Sequence, residues 1–438
     1  MGGALVRPLS RPGVFDLLMP LSRRNFLGCS SAALAGLTLP LQSALANGVG
    51  NDRKFIFVVN YGGWDPTQVF SAEFENPNVD MPVDAEAMTI GNMPLVDHEE
   101  RASVREFFQT HHEKCLVVKG LLVPSVAHQN CIRLMLTGSS ATGRSDWPAI
   151  MANAQASSFP LPHIVVDGPS FPGALGGVVS RTGNSGQLEA LLDGSIADWS
   201  DITVGRPSLR AQDIMDRYLE RRADAVDFNA QLEREKEFAA NFKVSHERSQ
   251  SLKGLLGVMD FGNGSSFNEQ SRLAVDTLSL GISRCATVRF NDGSWDTHSD
   301  NDSQQSSNFQ GLFLGLQNLM HRLATTTGPN GKALDEDTVV VVLSEMGRTP
   351  QLNEEEGKDH WPFTACMVVG NGVTGNRVVG AYDNYYYGEL LDFATGDVDR
   401  KTGKSLTSAS LGATLLNLAD VDHKEYMPGI ESITGLLT

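Results

Sequence analysis

Six short runs are apolar at nearly every position, and they constrain the fold of this chain more than any other feature. They are Lys54–Tyr61 (KFIFVVNY), Lys114–Gly120 (KCLVVKG), His163–Asp167 (HIVVD), Cys285–Phe290 (CATVRF), Thr338–Leu343 (TVVVVL) and Ala365–Val369. Each is rich in β-branched residues and too short for a buried helix. A strand with one wet face would alternate apolar and polar residues, and these do not. They read as strands buried on both faces. Between them, Arg101–His111, Ser271–Leu280, Asn308–Ala324 and Leu411–Leu418 carry helical spacing. The reading is an α/β fold: a doubly wound, mostly parallel sheet with helices on both faces. Ligands of such sheets sit beyond the carboxyl ends of the strands. Gly168–Gly186 reads as loop, and the charged stretch 208–256 as a helical insertion.

The amino terminus adds a second constraint. Ser22-Arg23-Arg24-Asn25-Phe26-Leu27-Gly28 is followed by an apolar run to Leu41 and then by Ala44-Leu45-Ala46. This is the pattern of a twin-arginine export signal with its cleavage site. It assigns residues 1–46 to a signal peptide, residues 47–438 to the working domain, and the product to the periplasm or the exterior. The twin-arginine translocase is then a partner. That route carries folded proteins, often with a metal or cofactor already bound. The apolar run is short for a membrane span, and no spanning segment follows it.

The chain holds 35 Lys and Arg against 52 Asp and Glu, a net charge of −17, and the basic leader makes the remainder more acidic still. That balance argues against nucleic acid or an anionic membrane surface as partner. Cys115, Cys131, Cys285 and Cys366 are far apart and form no C-x-x-C pair. They read as buried free thiols, although an exported protein permits one or two disulfides.

Polar clusters gather after the strands: Gly62-Gly63-Trp64-Asp65, Trp295-Asp296-Thr297-His298-Ser299-Asp300, Ser344-Glu345-Met346-Gly347-Arg348 and Lys358-Asp359-His360-Trp361. Carboxylates and imidazoles at one sheet edge have the composition of a divalent transition-metal site. Calcium would call for fewer histidines. Each cluster also has a plainer reading. Asp65 would cap a helix, Asp296 and His298 would bond one another, Glu345 and Arg348 would pair, and Asp359-His360 would be a turn. Ala127-His128-Gln129-Asn130-Cys131-Ile132-Arg133 opens a helix, where His128 and Arg133 are candidates to touch an anionic group. Cys131 is either a nucleophile or a packing residue, and no base stands beside it in sequence.

The leader, GGWD, AHQNCIRLMLTGSS, WDTHSDN, SEMGRTP and KDHWP occur in an order that resembles an exported bacterial family, domain of unknown function 1501. The resemblance spans essentially the whole chain after the leader. It implies membership of the alkaline phosphatase and sulfatase superfamily, with a doubly wound sheet and a two-metal centre. By motif, Asp65 is similar to the first-strand carboxylate of one metal. Asp296 and His298 resemble the Asp/His pair of the other, and His360 the late histidine ligand. Glu345 stands where the superfamily has an Asp-His pair. Arg133 to Gly138 is similar to the helix after the sulfatase nucleophile. No Ser or Thr stands at the nucleophile position, and Cys131 lacks the spacing needed for conversion to formylglycine. The resemblance thus implies one or two ions, zinc or manganese, held by Asp65, Asp296, His298, Glu345 and His360. His128, Arg133 and Arg348 would handle a small anionic ester. The activity implied is hydrolysis of phosphate or sulfate esters, and the alternative is a binding or assembly protein on the same scaffold.

Overall fold

The computed structural model describes residues 53–182, 209–229 and 265–438, with scattered positions between 232 and 250. The signal-peptide reading, part of the insertion and Cys29 lie outside the described residues. Eight strands form the central sheet: β1 (Lys54–Asn60), β2 (Cys115–Leu122), β3 (His163–Val165), β4 (Val179–Arg181), β5 (Cys285–Arg289), β6 (Thr338–Ser344), β7 (Phe363–Val369) and β8 (Arg377–Val379). Their spatial order is β8-β2-β7-β6-β1-β5-β3-β4. β1 pairs in parallel with β5 and β6, β3 with β4 and β5, and β8 with β2. β7 runs antiparallel to β2 and β6. β4 arises in the stretch read as loop, where three residues pair with β3 without any apolar run.

Among the described residues seven α-helices belong to the same unit: α1 (Ala102–His111), α2 (His128–Thr137), α3 (Trp147–Asn153), α4 (Phe267–Ser279), α5 (Asn301–Thr325), α6 (Ser408–Leu418) and the short α7 (His423–Tyr426). Side chains alternate across a strand. Phe55, Phe57 and Val59 of β1 therefore face one way and pack into a core with α2, α3 and α6. Ile56 and Val58 face the other way and are equally buried. On that side α4 packs on β5 and on α5, and α5 packs on α1. This is the doubly wound, mostly parallel architecture, with helices on both faces. The helix Leu209–Asn229 belongs to a separate compact unit. Among the described residues no helix is long and apolar enough to cross a membrane. The four described cysteines are buried free thiols.

β7 reverses direction for a consequential reason. The chain reaches Lys358-Asp359-His360 before it enters this strand, not after. A parallel strand would put that cluster at the far edge of the sheet. The antiparallel one brings it to the edge where β1, β5 and β6 end.

His163 in β3 is fully buried, its Nε2 2.8 Å from Thr287 Oγ1. Burial pushes its pKa down to about 4 from an ordinary 6.5. The unfolded chain takes up this proton near pH 6.5, and the folded chain refuses it until near pH 4. Stability is whole above pH 6.5 and falls through that window, by up to about 3 kcal/mol. In urea unfolding, the wild type should lose about 2 kcal/mol more than His163→Gln between pH 7 and pH 5. Equal losses would assign the slope to other groups.

Candidate metal centre

The loop after β1 begins with Gly62 and Gly63, at φ of +129° and +82°. A Cβ on Gly62 would lie 2.9 Å from the Asp296 amide nitrogen, so only glycine admits the Asp296 loop this close. Each of the two loops also carries a buried Trp just before its Asp. Trp64 and Trp295 both pack on Phe309 of α5, with ring centroids 5.8 Å and 4.9 Å away. The aromatic anchors fix the loops, and the next residue in each projects elsewhere.

Three imidazoles meet the Asp296 carboxylate. His128 is the first residue of α2, His298 lies in the loop after β5, and His360 precedes β7. His298 Nε2 and His360 Nε2 each stand 3.1 Å from Asp296 Oδ1, and 3.1 Å from one another. His128 Nε2 stands 3.4 Å from Asp296 Oδ2 and makes no hydrogen bond. The other ring nitrogens are all engaged outward. His128 Nδ1 is 2.8 Å from Glu345 Oε1, His298 Nδ1 is 2.9 Å from Asp359 Oδ1, and His360 Nδ1 is 2.8 Å from the Val126 carbonyl. Those partners are acceptors, so each Nδ1 carries the proton and each Nε2 presents a lone pair. The His128 and His360 lone pairs converge on the Asp296 carboxylate, and that of His298 lies beside His360 and Asp296.

Such convergence repels unless a cation occupies it, and one shared proton serves only one pair. A transition metal with bonds of about 2.0–2.2 Å places its ligand atoms about 3–3.5 Å apart. The separations from Asp296 to the three imidazoles, 3.1 to 3.4 Å, fall in that range. His128, Asp296 and His360 offer ligand atoms that all lie within 4.8 Å of one another. A histidine that gives its second nitrogen to a carboxylate or carbonyl is the usual arrangement around a ligating imidazole. The residues present therefore fit a divalent transition metal.

Electrostatics follow from the same contacts. Partial burial pushes the Asp296 carboxyl up, but the hydrogen bond and the charge of the Arg348 guanidinium outweigh it and hold it below the usual carboxylate range. The hydrogen bond to Glu345 raises the His128 pKa, against the opposing pull of burial. A ligating His128 must be neutral, so metal binding competes with protons here.

Not every sequence candidate enters the cluster. Glu345 is fully buried and turned inward. It accepts the Gly62 N–H at 2.9 and 3.1 Å and the Ser344 hydroxyl at 3.2 Å, besides His128. Arg348 is also fully buried. Its Nε donates to the Gly63 carbonyl at 2.8 Å, its Nη1 to the Lys358 carbonyl at 3.0 Å, and its Nη2 to the Gly62 carbonyl and to Asp296 Oδ1. Asp65 stands apart. Its Oδ2 pairs with Lys358 Nζ at 2.9 Å and accepts from Asn301, while its Oδ1 accepts from Thr67, capping the turn Pro66–Gln68. Burial pushes its carboxyl up, and the Lys358 pair pulls it below the usual carboxylate range. Arg133 lies over the Phe171 ring, 5.0 Å from its centroid. Cys131 is buried, and burial pushes its thiol up to about 11, far from a reactive thiolate. Lys358 and Asp359 carry weight that the sequence reading did not assign. The signal for Lys358 was its place beside Asp359-His360 in an otherwise polar loop.

The protein is thus a doubly wound α/β protein with a His/Asp cluster over the strand ends. It belongs to the family described as "Protein of unknown function (DUF1501)", which matches residues 100–432. Solved structures similar to it include a protein in the alkaline phosphatase superfamily from Vibrio parahaemolyticus, 11% identical, with a TM-score of 0.36 over 92% of this chain and 75% of that one. Another is the lipoteichoic acid synthase LtaP from Listeria monocytogenes, 8% identical, TM-score 0.40, over 94% and 81% of the two chains. A third is a sulfatase from Pseudoalteromonas sp., 11% identical, TM-score 0.34, over 92% and 77%. No relative among curated proteins matches the sequence.

The buried Asp65–Lys358 pair gives a direct test of these assignments. Lys358→Met leaves a buried carboxylate unpaired and should cost about 3–5 kcal/mol in chemical denaturation. Adding Asp65→Asn should recover part of that loss, with metal content unchanged in the double variant. A double variant that folds but binds no metal would return Asp65 to the metal centre.

Proposed function

We propose that this is an exported, metal-dependent hydrolase of phosphate or sulfate esters. The observation that carries the reading is the set of three outward-tied imidazoles whose Nε2 atoms face the Asp296 carboxylate. His128, Asp296 and His360 would hold one divalent ion, zinc or manganese, and His298 stands beside them. When bound, such an ion supplies Lewis acidity and lowers the pKa of a water molecule at its open position. The chain's own residues prepare that position. Glu345, Asp359 and the Val126 carbonyl fix the three tautomers, and Arg348 fixes Asp296. Among the described residues no Ser, Thr or Cys side chain joins the cluster, which favours water as nucleophile over a covalent enzyme intermediate. The leader motif supports loading of the ion before export.

His298 favours a second reading. Three protein ligands leave a tetrahedral ion open to substrate, whereas four close it, as in structural sites. With His298 as fourth ligand, the protein would be a metal-stabilised binding or assembly protein.

Elemental analysis of the protein, purified without chelator, separates these readings when joined to assays with 4-nitrophenyl phosphate and 4-nitrophenyl sulfate. The wild type should carry one or two equivalents of a transition metal. Asp296→Ala and His360→Ala should each lose it while remaining folded. Turnover of either ester, with metal retained in His298→Ala, supports the hydrolase. Metal without turnover, lost in His298→Ala, supports the binding protein. Folded wild-type protein free of metal would overturn both.

A further inference from the structure

We infer that Arg133 forms a distal subsite for a second anionic group on the substrate; this rests on the hydrolase reading above. The argument starts from helix α2, whose first residue, His128, enters the metal cluster. Its buried face is apolar, with Cys131, Ile132, Leu134, Met135 and Leu136 in the core. The opposite face is polar. Gln129 and Asn130 are exposed and Arg133 is half-buried. Gln129 and Arg133 are four residues apart and therefore neighbours on that face. Gln129 Nε2 donates to the Tyr61 hydroxyl at 3.2 Å, and the Tyr61 ring lies 5.4 Å from that of His128. A continuous stripe thus runs from the cluster through Tyr61 and Gln129 to Arg133.

Arg133 differs from the other cations of this edge. Arg348 and Lys358 are buried and spend their donors on protein acceptors. Arg289 pairs with Asp167 at 3.0 Å. The Arg133 guanidinium makes no hydrogen bond or ion pair among the described residues. It is held by the Phe171 ring, whose face steadies a cation without consuming its N–H donors. In a chain of net charge −17, a positioned guanidinium with free donors is a local exception. Its planar fork suits a carboxylate, sulfate or phosphate. It lies five positions along the helix from His128, an axial rise of about 7.5 Å. The substrate class is therefore an ester that carries a second anionic group at about that distance from the scissile one, not a simple monoester.

The test is calorimetric, on zinc-loaded whole protein, and needs no turnover. Inorganic phosphate probes the metal position alone, and butane-1,4-bisphosphonate probes both positions. The wild type should bind the bisphosphonate at least tenfold more tightly than phosphate. Arg133→Gln should reduce that ratio about tenfold, and Arg133→Lys should restore part of it. Equal affinities for the two probes in the wild type, or an unchanged ratio in Arg133→Gln, would overturn the subsite and leave the hydrolase reading standing. Failure of zinc-loaded protein to bind phosphate at all, with no ester turned over, would overturn the hydrolase reading and the subsite with it.

Discussion

The Arg348 guanidinium is the contact on which the site depends. It is wholly buried, and its donors reach the carbonyls of Gly62, Gly63 and Lys358 and the Asp296 carboxylate. These belong to three segments that enter the site from different strands. A buried cation is tolerated only when its donors are satisfied. Here the satisfied geometry is also the assembled one. Loss of any one segment leaves an N–H of a buried charge without a partner. The Lys358 ammonium repeats this logic one layer down. It joins Asp65, Thr67 and the Asp80 carbonyl, at 2.9, 3.1 and 3.0 Å. Two buried cations therefore fix the backbone, and the histidines occupy the positions that remain.

Topology supplies the rest of the convergence. β1, β5 and β6 lie side by side and run parallel, so their following loops meet at one edge. β2 also ends there and delivers His128 at the start of α2. β7 contributes from its beginning, because it is antiparallel to β2 and β6. His360 and Arg348 then pair across a short antiparallel ribbon, in register. The ribbon binds the segment after β6 to the segment before β7, which holds the late histidine against Asp296.

Much of this was legible in the sequence. The apolar runs appear as strands, because residues buried on both faces must be apolar at every position. The polar clusters after β1, β5 and β6 meet at one edge, because those strands are parallel neighbours. The division of labour among the polar residues was less legible. Glu345 and Asp65 have the residue type of metal ligands, yet Glu345 is claimed by the Gly62 amide and His128, and Asp65 by Lys358. Arg348 has the type of a substrate contact, yet backbone carbonyls surround it. Residue type and strand position place a side chain at the edge. Only the hydrogen-bond inventory says whether it points into the site or into the scaffold. The antiparallel direction of β7 was also invisible, since an apolar run reads the same in either sense. β4, with three paired residues and no apolar pattern, left no signal.

The outward bonds of the three histidines bear on what this site costs the fold. A lone imidazole on a loop loses rotamer freedom when it binds a ligand. Here Glu345, Asp359 and the Val126 carbonyl have already fixed the rings, so that entropy is spent during folding. Folding also sets Asp296, through Arg348 and the close approach permitted by Gly62. The converging lone pairs that result are destabilising by themselves, since no protein donor completes His128 Nε2. A bound cation would relieve that deficit, and binding and folding would then reinforce one another. A chain built this way would gain stability from a bound ion alone. With an ion in place, the same preorganisation would position an anionic group. Scaffold and candidate chemistry are thus one network here, tied through Arg348.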